Sequence, residues 1–536
     1  MSTCLSENNH VQYSDSDVYF HQLIQFFYQC VRCDNHDYLE ERLHNMLKKS
    51  KNKERNYIRE LTILYVLIGQ TRDIAYGKGE YRLAYMLIYV WYQYYPELAL
   101  FAFKTFVLPQ QLTYPVYGSW KDVKFFCDYL QKRDVLHPLI RDVCDILINQ
   151  LKLDQENLRK RKLISLARKW CPREKKKYGW LYDYIAFNFT PHIIQTAKSP
   201  FQYHRALTKT RMLLRKHIAK CNFILNTTQV AMCDNKWDVI TNPSSRTTFK
   251  NRHAFANINK DGSIRSDDPK RIECGKRFQN SNLNGRHCEM YELVKAALET
   301  NNQVEEQMIN RLWEKEGMDL GNTIAIVDVS LTLEEKDKRG FYTGIGLGIR
   351  AAESSESAFK NRLITFSAVA KWLNLDECSG FVEKVKLVKA SQEGMQANLY
   401  KAIDMLLKTF VEEADIGVAT FITLLIISDM QLNPQSMPLY EGIRNRFKKA
   451  ASANKTPYKM PYIYFWNTRQ TKGYPVAELE PKTAMISGYS DALMKVFAQK
   501  IKQKWRYPSS PYLTLRRITS NNRYKPLRKK IREYFA

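Results

Sequence analysis

Asp328, Ser330 and Thr332 stand at alternate positions in NTIAIVDVSLTL (322–333), and Asp429 stands in LLIISDM (424–430). Two carboxylates and two hydroxyls are hard oxygen donors, the kind that holds Mg2+ with its other positions filled by water or by a partner's carboxylate. The same spacing has a second reading, in which Ser330 and Thr332 cap a following helix or bond the local backbone. Both readings require an element that delivers Asp328 at its end, and the apolar run Ile324–Val327 reads as a buried strand that does so.

That strand opens a change of pattern near residue 320. Strands NTIAIVDVS (322–330), RLITFS (362–367), TFITLLIISD (420–429), YIYFW (462–466) and TAMIS (483–487) alternate with helices TGIGLGIRAAES (343–354), MQANLYKAIDMLLKTFVEEA (395–414), MPLYEGIRNRFKKAAS (437–452) and SDALMKVFAQKIKQKW (490–505). FVEKVKLV (381–388) is a short apolar stretch among them. Such alternation predicts a doubly wound, mostly parallel sheet, whose ligands bind beyond the carboxyl ends of the strands. Before residue 320 apolar residues recur at helical spacing, as in YIRELTILYVLIGQ (57–70) and HPLIRDVCDILINQLKL (137–153). The fold class expected is therefore an N-terminal α-helical repeat array followed by an α/β domain. The divisions are a polar and helical segment over 1–55, the helical array over 56–234, a connector with partial helix over 235–320, the α/β domain over 321–505 and a basic tail over 506–536.

The chain has 536 residues, 83 Lys plus Arg against 55 Asp plus Glu, and a net charge of +28. Its size calls for more than one core, and its charge for a polyanionic partner such as nucleic acid or an anionic membrane surface. Eleven scattered cysteines, an odd number, fit reduced thiols inside a cell better than a secreted disulfide framework. The N-terminus carries no signal-peptide core, and the apolar run 81–103 contains Arg82, Pro96 and Glu97, so packed helices are expected and a transmembrane segment is not. The expected location is intracellular and cytoplasmic.

Two surfaces answer to the charge. On a helix at about 100° per residue, Arg205, Lys209, Lys216 and Lys220 fall within an arc of roughly 60°, with Leu207, Leu214 and Ile218 opposite and Arg211 and Met212 outside the partition. A stripe of this kind tracks a phosphate backbone, or is a solvated helix face. The end of the chain gathers Arg516, Arg517, Arg528, Lys529 and Lys530, interleaved with Tyr507, Tyr512 and Tyr524 that could stack on unpaired bases. Its reading as an accessible tail is favoured over one packed back on the domain. No general acid/base pair or Ser-His-Asp arrangement emerges, so a non-enzymatic role is expected.

DVSLT resembles the D-x-S-x-S element of von Willebrand factor A domains. Further segments, including YGSWKDV (117–123), ISLARKWCPRE (164–174), MCDNKWDVI (232–240), YFWNTR (464–469) and ISGYS (486–490), resemble in order an uncharacterised family of plants, fungi, bacteria and giant DNA viruses. That family joins a helical-repeat half to a von Willebrand A half and is similar in architecture to TROVE-domain Ro proteins, which bind RNA. The resemblance implies a metal site of Asp328, Ser330, Thr332 and Asp429, with protein docking assisted by Mg2+. Ala397 occupies the place of the second-loop threonine and Leu331 that of a glycine, so either Gln396 or Asn398 offers an amide oxygen instead or the site is degenerate and metal-free. The function implied is that of an RNA-binding, ribonucleoprotein-type protein. The alternative is a giant-virus structural or packaged scaffold, located in the virion, that binds nucleic acid nonspecifically.

Overall fold

The computed structural model describes residues 2–51, 54–110, 115–241, 243–259, 261–280, 288–314, 318–356, 359–412, 422–454, 460–498 and 510–536. Strands β1 (Thr3–Leu5) and β2 (Val11–Tyr13) pair as an antiparallel hairpin. Helix α1 (Tyr19–Gln29) follows, burying Leu23, Ile24, Phe26 and Phe27. The helical array continues through Asp37–Lys51, α2 (Glu54–Arg72), Tyr81–Tyr94, Pro96–Val107, α3 (Lys121–Gln131), Pro138–Arg159, α4 (Ala167–Trp170), Gly179–Phe189 and α5 (Pro200–Leu225). Pro96, Pro138 and Pro200 each stand at the start of a helix, where the missing N–H is not needed. The apolar run 81–103 is thus two packed helices split at Pro96, and among the described residues no helix is long and apolar enough to cross a membrane.

Short helices over Ser245–Lys250, Arg252–Ala256 and Pro269–Asn280 occupy the connector, around a small core that includes Trp237, Phe255 and Phe278. Helix α6 (Met290–Glu299) then leads into the sheet, whose order is β5-β4-β3-β6-β7-β8. Strands β3 (Thr323–Asp328), β4 (Arg362–Phe366), β6 (Thr423–Ser428), β7 (Tyr462–Asn467) and β8 (Thr483–Ser487) are parallel, and β5 (Ala370–Asn374) is an antiparallel edge. Every residue of β3 and β6 is buried, because both faces of a parallel sheet are covered.

The strand period of two sorts these residues into two cores. Ile324, Ile326, Leu424, Ile426, Ile463 and Phe465 face a cluster continuous with Phe26, Leu67, Trp91 and Phe103 of the helical array. Ala325, Val327, Leu425, Ile427 and Trp466 face the opposite way, toward Leu293 and Val294 of α6 and Phe341 and Ile345. The helical array and one face of the sheet therefore share a single core. Helix α7 (Leu331–Lys336) follows β3, and α8 (Lys338–Glu353) lies between β3 and α6. A side chain at Gly346 would collide with Met290 and one at Gly348 with Val327, so the glycines of TGIGLGIR permit this close approach.

The C-terminal segment corrects the expectation of an accessible tail. Its described part forms helices α9 (Pro511–Ser520) and α10 (Lys525–Phe535), and Leu515, Tyr524, Leu527 and Ile531 are buried in the shared core. Arg523 is buried and donates to Asp73 of the helical array at 2.7 Å through its second nitrogen, while Tyr524 donates to the same carboxylate at 3.1 Å. Apolar residues at helical spacing outweigh the charge around them, since on α10 Lys525, Lys529 and Arg532 are exposed while Leu527 and Ile531, four apart, point in. Tyr507 and the end of the helix expected over 490–505 lie outside the described residues; the described start of that helix is a 3-10 turn, Asp491–Val496.

Candidate functional site

Parallel pairing of β3 with β6 sets Val327 beside Ile427, so Asp328 and Asp429 leave the sheet at the same edge. Both are buried, at 1% and 3% exposure. Asp328 accepts from the Ser428 hydroxyl at 2.7 Å and from the Ser330 backbone N–H at 2.9 Å. Burial, with Asp429 as a neighbouring negative charge, raises its carboxyl to about 7. Asp429 accepts from the Gln431 N–H at 3.0 Å and from Arg469 Nε at 2.9 Å. Burial raises its carboxyl too, and Arg469 counteracts the rise.

Arg469 stands just beyond the end of β7. Its other two nitrogens donate to Glu7 of the β1–β2 hairpin at 3.1 and 2.9 Å, and Lys336 of α7 reaches the same carboxylate at 2.9 Å. Burial alone would raise Glu7, yet the hydrogen bonds from Arg469 and Lys336 hold it below its ordinary value. The hairpin is fastened at several further points: Glu7 N–H to Gln431 Oε1 and Asn8 Nδ2 to the Gln431 carbonyl, both at 2.7 Å, and Gln12 Nε2 to the Met430 carbonyl at 2.7 Å. It lies across the edge where the two aspartates emerge. Sequence reasoning missed both Glu7 and Arg469, and no local pattern marks them.

The remaining expected ligands hold loops together. The Thr332 hydroxyl donates to the Met395 carbonyl, which pins the loop containing Ala397. Ala397 is buried and presents a methyl group, its carbonyl accepting from Asn433 N–H at 3.1 Å. Gln396 is exposed, and Asn398 Oδ1 accepts from Lys401 N–H at 3.4 Å. Among the described residues no group of three or more His, Cys, Asp or Glu is placed to hold a metal ion. Mg2+ demands a near-octahedral set of oxygens. Asp328 and Asp429 are committed to protein N–H and O–H groups, with the Arg469 guanidinium on Asp429, and two carboxylates so engaged do not present the open oxygen set of a resident Mg2+.

The basic stripe lies on α5, a 26-residue helix capped by Ser199. Arg205, Lys209, Lys216 and Lys220 are all exposed, while Leu214 is fully buried and Leu207 and Ile218 are half-buried. The arginines off the stripe are paired, Arg211 with Asp183 at 2.7 and 2.9 Å and Arg215 with Glu174 at 3.2 Å. No carboxylate pairs with the four stripe residues among the described residues. Phe201 and Phe223 are 70% and 73% exposed, Phe223 within the arc of the stripe and Phe201 about 40° outside it. The face from Phe201 to Phe223 is thus mixed basic and aromatic over ~33 Å at 1.5 Å per residue. The two phenylalanines were readable from the same helical projection.

Of the C-terminal candidates, Arg528 donates to the Thr519 and Asn521 carbonyls at 2.6 and 2.8 Å and so closes the end of α9. Lys530 pairs with Glu97, and Lys529 with Glu533 at 3.4 Å. Arg517 is half-buried, and burial lowers its guanidinium from the ordinary value. Arg516 is exposed. Tyr512 packs edge-on against Phe20, and Tyr524 is buried, so neither offers a free face for a base.

A family model described as Domain of unknown function (DUF7788) matches residues 322–517, from the start of β3 into α9. The chain is also similar to "Uncharacterized protein L728" of Acanthamoeba polyphaga mimivirus, 25% identical over an alignment of 475 residues that covers 83% of this chain and 77% of the relative.

Proposed function

We propose that the protein is a non-enzymatic, RNA-binding component of a ribonucleoprotein, with α5 as its nucleic-acid surface and the C-terminal α/β half, of von Willebrand A type, as a docking module for a protein partner. The observation that carries the reading is the face of α5. Four cations without carboxylate partners among the described residues, flanked by two exposed phenylalanines, combine backbone neutralisation with base stacking, as single-stranded nucleic acid requires. The test is fluorescence anisotropy of a labelled single-stranded RNA at several salt concentrations. In the variant R205Q/K209Q/K216Q/K220Q the slope of log affinity against log salt falls by about 3 if each residue meets one phosphate. Wild-type affinity and slope in that variant refute the reading.

The similarity to a mimivirus protein favours a second reading, a structural or packaged scaffold of a viral particle that neutralises nucleic acid nonspecifically. Analytical ultracentrifugation separates the two. Concentration-dependent assembly of nucleic-acid-free protein favours the scaffold, and a monomer that assembles only on RNA favours the ribonucleoprotein.

A further inference from the structure

Two of the sequence segments singled out above, YGSWKDV and ISLARKWCPRE, meet in space. Lys121, at the start of α3, places its ammonium 4.2 Å from the centroid of the Trp170 ring. Lys124, one turn later, lies 5.3 Å from the same ring, and Lys169 of α4 lies 5.7 Å from it. Lys124 is also 5.8 Å from the ring of Tyr178. All three lysines are half-buried, and none has a carboxylate partner among the described residues. The adjacent Asp122 is committed elsewhere, holding Arg72 through hydrogen bonds of 2.9 and 2.8 Å and accepting from Tyr85.

The neighbours add positive charge. Burial lowers all three ammonium groups from the ordinary lysine value, with Lys250 and Arg246 lowering Lys121 further and Arg173 lowering Lys124. Lys121 and Lys124 thus stand among like charges that oppose one another, and the ring face of Trp170 offsets this only in part. Ammonium groups without carboxylate partners suit an anion of several oxygens, and lysine binds phosphate as a point charge.

We propose that Lys121, Lys124 and Lys169, gathered around Trp170, form a phosphate-binding site. The phosphate belongs either to a nucleic-acid backbone or to a free polyphosphate, since the same ammonium groups recognise both. Helix α4 packs on α5 along the side of the buried Cys221, to which its Arg168 is tied by a hydrogen bond, so the site is separate from the exposed basic stripe. The inference extends the polyanion-binding reading of α5 but stands on other residues.

The experiment uses the full chain and three variants: K121Q/K124Q/K169Q, the charge-retaining K121R/K124R/K169R, and R205Q/K209Q/K216Q/K220Q. Sodium tripolyphosphate is titrated in a thermal-shift assay, and a labelled oligouridylate is titrated by anisotropy at several salt concentrations. A free-phosphate site gives a tripolyphosphate-dependent rise in melting temperature in wild type and in the Arg variant, which disappears in the Lys-to-Gln variant. A backbone-phosphate site gives no such rise but lowers the salt slope of the Lys-to-Gln variant by about 2, three contacts at ~0.7 each. Loss in this variant while the α5 variant binds normally leaves the proposal standing and removes the α5 reading. Lys-to-Gln behaviour identical to wild type with both probes overturns the proposal. Should that variant not fold, the single substitutions K121Q, K124Q and K169Q give the same readings, each at about a third of the slope change.

Discussion

Replacing Arg469 with Gln tests whether the guanidinium holds the place of a cation at the sheet edge. The substitution removes the charge paired with Asp429 at 2.9 Å, leaving a carboxylate that is 4% exposed without its partner. Removing one member of a buried pair costs about 3–5 kcal/mol. The Glu7 contacts add little, because the Glu7 side chain is 42% exposed and solvent screens it. With 536 residues unfolding together, at about 2.1 cal/mol/K per residue, that loss lowers the melting temperature by roughly 3–4 °C. The decisive assay is calorimetry of wild type and R469Q with and without Mg2+. Wild type melts at the same temperature in both. R469Q, with Asp328 and Asp429 now facing each other unneutralised, is stabilised by Mg2+, by about 2.7 kcal/mol once the ion reaches 100 times its dissociation constant. If Mg2+ stabilises wild type as much as R469Q, the guanidinium does not replace the ion and the reasoning fails.

Gly348→Ala gains up to ~1 kcal/mol of helix propensity, yet its methyl group collides with Val327. Overpacking costs about 1–3 kcal/mol, so urea denaturation shows a net loss of stability. His10, fully buried under the hairpin, is lowered by burial to about 4 and folds as the neutral ring. The unfolded chain takes up that proton near 6.5, so stability is present above that pH and is lost as pH falls toward 4, by up to ~3 kcal/mol. In His10→Phe the pH dependence of urea denaturation between 6.5 and 4 is correspondingly flatter.

The strands that carry the sheet edge were legible because complete burial turns each into an apolar run with abrupt ends, as in TIAIVD and TLLIIS. Strand β5 escaped notice because AKWLN is a half-exposed edge of five residues with no strong alternation. FVEKVKLV is part of a helix, Phe381–Ala390, whose buried Phe381, Val382, Val385 and Val388 carry the period of 3.6. The outward face of α5 followed from projection alone. The C-terminal helices were misjudged because a count of charges hides the inward Leu515, Ile518, Tyr524, Leu527 and Ile531. Glu7 and Arg469 meet across 462 positions, and only the closed fold brings them together.

The shared core also sets a timetable for synthesis. Asp73 and the apolar side of α2 are made early, but their partner Arg523 lies 450 residues later. At about 5–20 residues per second, a ribosome takes roughly 20–90 s to supply it. Throughout that interval the nascent helical array carries an uncovered apolar surface beside a carboxylate that no guanidinium has yet met. A chain halted before Pro511 retains that surface for as long as it exists, which makes it a substrate for chaperones and proteases. Helices α9 and α10 therefore act as a late-made seal on a surface that is made early.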